Sequence, residues 1–116
     1  MYKFENLRVW KEAVQLVKMV YELCKKLPLD ERFALADQLK RASTSIVLNI
    51  AEGCGGLGDT ELRSYLRNSL KSLYETVAAI KLAESLFDLS GKEVLVQCDL
   101  VGKQLNAFIK SLKAKV

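Results

Sequence analysis

Apolar residues recur at three- and four-residue steps along almost the whole chain, the spacing that stacks side chains on one face of a helix. Four such segments are separated by breaks. The first runs from about Asn6 to Leu27, with Leu7, Trp10, Val14, Val17, Tyr21 and Cys24 as its expected apolar face, and Pro28 ends it. The second runs from near Asp30 to about Glu52, carrying Phe33, Ala36, Leu39, Ala42 or Ser43, Ile46 and Ile50. The glycine-rich stretch GCGGLG then intervenes. The third opens at Asp59 or Thr60, both competent caps, and continues to about Phe87 through Leu62, Leu66, Leu70, Leu73, Val77, Ile80 and Leu86. After Asp88-Leu89-Ser90-Gly91, Ser90 and Glu93 have the spacing of a capping box. Val94, Cys98, Val101, Leu105, Phe108, Ile109 and Leu112 follow. Short connections make successive helices antiparallel. The expectation is a single all-α domain over residues 1–116, an antiparallel up-down-up-down four-helix bundle.

The first and fourth segments hold more apolar residues than one buried stripe needs. Val9, Leu16, Met19, Val20 and Leu23 are surplus on the first, and Leu95, Leu100 and Ala107 on the fourth. A second packing partner, most simply another copy of the chain, accounts for that excess; lysine stems covering a broad stripe are the alternative.

With 50% hydrophobic residues and one proline in 116 residues, disordered and fibrous classes are excluded. The chain has no histidine, which removes histidine-dependent triads and ordinary zinc sites. No nucleophile paired with a base is visible, so no enzyme, metal or cofactor is expected. Cys24, Cys54 and Cys98 are too scattered for a disulfide framework and fit a reduced protein. Cys24 and Cys98 read as small core residues, and Cys54, in a loop, as the one to test for reactivity. The opening MYKFENLRVW places charges where a secretory leader would be apolar, and no apolar run approaches the roughly 20 residues of a membrane span. A cytoplasmic location, away from membranes, is the expectation.

Residues 53–58 match GxGxxG through Gly53, Gly55 and Gly58. A phosphate loop needs a strand before it and a helix after it. Here a helix precedes, and Asp59 would repel phosphate. A left-handed glycine stop followed by a turn is the expected structure.

Three polar features carry the candidate sites. Gln38, Arg41, Ser45, Asn49 and Glu52 form one line on the second helix, beside its apolar face. They can serve as a hydrogen-bond ladder setting helix register or a subunit interface, or as a ligand site through the Arg41 fork. Arg63, Arg67 and Lys71 form a ridge on the third helix with Ser64, Asn68 and Ser72 alongside, a mixture suited to phosphate contacts. Glu75 extends the ridge and can pair with Lys71. Lys103, Lys110, Lys113 and Lys115 make a basic end, with nothing acidic after Asp99. Cations at a helix C-terminus also complement its dipole. The net charge of +4 is mild, so both a nucleic-acid surface and an ordinary solvated face remain open.

The chain resembles the four-helix-bundle family of 23S rRNA intervening-sequence proteins over nearly its whole length. The opening FENLRVWKEA carries the resemblance through Phe4, Leu7, Trp10 and Ala13. The second helix carries it from Glu31 through Leu35, Gln38, Leu39, Arg41, Ala42, Ser45, Ile46 and Asn49 to Ile50-Ala51-Glu52-Gly53. In the third, Ser69, Ser72 and Glu75 fit, whereas Lys71 stands where the family commonly has glycine. The resemblance implies a ring-like homo-oligomer, a pentamer, with no established enzymatic activity. Some similar proteins are accessories of diversity-generating retroelements that bind a reverse transcriptase and nucleic acid. Two functions follow as expectations: an oligomeric scaffold that binds structured RNA or DNA through basic helix surfaces, or a structural, protein-binding oligomer without a nucleic-acid role.

Overall fold

The computed structural model describes residues 1–56 and 58–112. Four helices dominate: α1 (Arg8–Cys24), α2 (Leu35–Gly53), α3 (Asp59–Leu86) and α4 (Lys92–Ser111). Short 3-10 turns at Lys3–Asn6 and Leu29–Glu31 precede the first two, and no strand occurs among the described residues. The 28 residues of α3 extend about 42 Å at 1.5 Å per residue, which matches the 48 Å long axis of the molecule.

The helices share one core. Leu16, Leu39, Ile46, Ile50, Leu66, Ile80 and Leu105 are fully buried, each worth about 1.5–3 kcal/mol relative to an exposed side chain. The faces expected for α2 and α4 are the buried ones, except that Phe33 is exposed and Phe108, Ile109 and Leu112 are half-buried. On α1 the face is different. Val9, Ala13, Leu16, Val20 and Leu23 enter the core, while Trp10, Val14 and Val17 are half-buried and Tyr21 is exposed. Both stripes are apolar, so periodicity alone does not choose between them. The N-terminal turn settles what Trp10 meets, for Phe4 packs edge-on to its ring at 5.1 Å.

Helix ends also depart from expectation. α2 begins at Leu35, not Asp30, and Phe33 is 86% exposed with the Arg32 guanidinium 5.5 Å from its ring centre. The 3-10 turn after Pro28 uses up residues 29–31 before the α-helix can start. Gly58, at φ 92°, precedes the first turn of α3 in place of an Asp59 or Thr60 cap. The Ser90–Glu93 capping box does not form; the Gly91 N–H donates instead to Glu84 Oε2 at 2.8 Å. In the glycine stretch, Gly53 is the last helical residue, and Gly56, at φ 87°, joins Gly58 at positive φ. Gly53 serves close packing: a Cβ there would come within 2.8 Å of Tyr65 Cβ.

Candidate nucleic-acid interface on α3 and α4

The polar line on α2 divides into two parts. Ser45 and Asn49 face α3, where the Ser45 and Ser72 hydroxyls hydrogen-bond at 2.9 Å. Asn49 Nδ2 donates to the Ser45 carbonyl at 2.9 Å and to Ser45 Oγ at 3.1 Å. Gln38 donates to Glu75 across the same seam. Deeper, the fully buried Ser69 hydroxyl donates to the Ile46 carbonyl at 2.9 Å. Residue numbers rise along α2 as they fall along α3 in these contacts. Small residues let the two backbones approach, and their hydroxyls bond across the gap. Arg41 stands apart, exposed and ion-paired with Asp37 at 3.0 Å, and Glu52 is exposed.

Lys71 is exposed on the outer side of α3 and does not enter this seam. The close approach therefore rests on Ser69 and Ser72 and does not need glycine at 71. Glu75, engaged by Gln38, is turned to α2 and away from the expected pairing with Lys71.

Two contacts register α3 against α4. Arg63 Nη2 donates to the Leu112 carbonyl at 2.7 Å. Ten residues further along α3, Leu73 abuts Gly102, where an added Cβ would meet Leu73 Cδ2 at 3.2 Å. Arg67 and Lys71 lie between those contacts on α3, and Lys103 and Lys110 lie between them on α4. All four are exposed. The two basic segments, 32 to 43 positions apart in sequence, thus flank one stretch of one seam. Arg63 belongs to the same ridge but is committed to the end of α4, where it satisfies a carbonyl that the helix leaves open. Lys113 and Lys115 lie outside the described residues.

Along the seam past Lys103 is a cleft of about 310 Å³, with Leu70 and Gly102 among its lining and Tyr74, Asp99, Lys103 and Asn106 as its polar and aromatic members. Tyr74 is 66% exposed. Sequence reasoning missed this residue. Its step of three from Lys71 was the available signal, since positions three apart share a helix face.

Other sites offer less. A cleft of about 520 Å³ between α1 and the start of α4 mixes Lys18, Lys26 and Lys92 with Glu22 and Glu93. Burial raises all three thiols. Cys54 is pushed up despite nearby Lys3, Cys24 despite Lys40, and Cys98 to about 12 by burial reinforced by Asp99. A raised thiol carries little thiolate at neutral pH, so Cys54 lacks the activation of a reactive cysteine. Among the described residues no cluster of three or more His, Cys, Asp or Glu could hold a metal, and no helix is long and apolar enough to cross a membrane.

An all-α protein with a polar inter-helix seam and a basic outer face is the class that emerges. Residues 5–107 match the family described as 23S rRNA-intervening sequence protein, and the chain belongs to that family. No curated protein matches the sequence.

Proposed function

We propose that the protein is a non-enzymatic, self-associating helical scaffold, an up-down-up-down bundle, that binds nucleic acid through the α3/α4 face. The observation carrying this reading is the convergence of Arg67, Lys71, Lys103 and Lys110 on one stretch of seam. Four exposed cations there suit the regularly spaced charges of a phosphate backbone. Asp99, near the other end of the cleft, limits the positive field to the Arg63 end.

Self-association is supported by two unlike apolar surfaces. One is on α3, where Ala78, Leu82 and Leu86 step by four and are exposed. The other combines Val14, Val17 and Tyr21 of α1 with exposed Leu48 of α2. Two different patches that fit each other make a head-to-tail contact, and such contacts close into rings when the rotation permits. The family resemblance favours a five-membered ring, in a cytoplasmic protein.

Binding of fluorescent RNA and duplex DNA, followed by anisotropy at two salt concentrations, tests the nucleic-acid role. Affinity should fall steeply with salt. Absence of binding at low salt would leave a structural or protein-binding oligomer, whose partner would then be sought among proteins such as a reverse transcriptase.

A further inference from the structure

We propose that Tyr74 is a base-stacking platform and that the α3/α4 face takes unpaired nucleic acid in preference to duplex. This rests on the nucleic-acid reading above and specifies its ligand.

Tyr74 shares its helix face with Lys71, three residues earlier, and shares its cleft with Lys103. An exposed aromatic ring beside a track of cations is the combination that holds single strands: the cations follow the phosphates while bases stack on the ring. A duplex keeps its bases stacked on one another, so the ring would have nothing to receive. The cleft also offers acceptors. The Asn106 amide nitrogen donates one of its two hydrogens to the Gly102 carbonyl at 3.0 Å, Asn106 Oδ1 is an acceptor, and Asp99 adds a carboxylate. Both match the exocyclic amino groups of adenine and cytosine. Gly102 keeps that wall low, since α4 has no side chain at this position.

The test uses the full-length protein, a short CA-repeat RNA, an abasic phosphodiester strand of equal length and an RNA duplex. Wild type should prefer the CA-repeat strand. Tyr74→Ala should weaken it roughly 5- to 150-fold, the range that aromatic–base stacking spans on alanine substitution. The salt slope should stay unchanged, because no phosphate contact is removed. Tyr74→Phe should retain binding, and the abasic strand should not distinguish wild type from Tyr74→Ala. Sedimentation of both variants checks that assembly is unaltered. Undiminished CA-repeat binding by Tyr74→Ala, equal loss in Tyr74→Phe, or preference for the duplex would overturn stacking while leaving the basic face intact. Failure of wild type to bind any strand at low salt would overturn both.

Discussion

Gly53 lies against Tyr65 so closely that a Cβ on the glycine would stand 2.8 Å from the tyrosine Cβ and 3.0 Å from Leu62 Cδ1. The end of α2 and the start of α3 therefore pack backbone to side chain. Gly53→Ala should cost about 1–3 kcal/mol, the usual range for overpacking, despite alanine's better helix propensity. Urea unfolding should show a lower midpoint with unchanged slope. A midpoint at or above that of wild type would contradict the close approach.

The Arg63–Leu112 bond separates two kinds of arginine on one ridge. Arg63→Ala should speed amide exchange in the last turn of α4 and change nucleic-acid affinity little. Arg67→Ala should do the reverse, lowering affinity without touching that turn. Similar behaviour of the two variants would show that the ridge acts as a unit.

Cys98 gives a pH dependence of known sign. Its thiol is raised from an ordinary 9.0 to about 12 in the fold. Between those values the unfolded chain has lost the proton that the folded chain still holds. Stability from this group is full below pH 9 and declines as pH rises toward 12. Cys98→Ala leaves a cavity at every pH, so its deficit relative to wild type should shrink across that window. A constant deficit would mean that the buried thiol titrates as an exposed one does.

The packing of α1 shows why periodicity reached the helices more surely than their faces. Leu7, Trp10, Val14, Val17 and Tyr21 satisfy the helical step as well as Val9, Ala13, Leu16, Val20 and Leu23 do. Only the second set is fully buried, apart from Cys24, which joins it from the first. Tertiary context made that choice: Phe4 covers Trp10 from the N-terminal turn, and Lys40 lies 4.9 Å from the Tyr21 ring. Phe33 failed for a different reason, because hydrophobicity marked it while the 3-10 turn after Pro28 delayed the helix. The start of α3 was readable within a residue, since a glycine-rich break before an acidic first turn leaves few alternatives. For the candidate interface, each basic segment could be read from the sequence, but their meeting could not. That required the register between α3 and α4, which the Leu73–Gly102 contact sets.

Leu82 and Leu86 on α3 are exposed and belong to the surface proposed for self-association. Leu82→Glu/Leu86→Glu should shift the sedimenting species from oligomer to monomer while preserving helical circular dichroism. A wild-type protein that sediments as a monomer would contradict the assembly.

The most direct test of the central claim is the salt dependence of RNA binding by wild type and by Arg67→Ala/Lys71→Ala. Wild type should bind in a salt-sensitive way. In the double variant the slope of log affinity against log salt should fall by roughly one unit per cation removed, with affinity lost evenly across sequences. Binding with the same slope and affinity in both proteins would place the contact elsewhere and contradict the α3/α4 face.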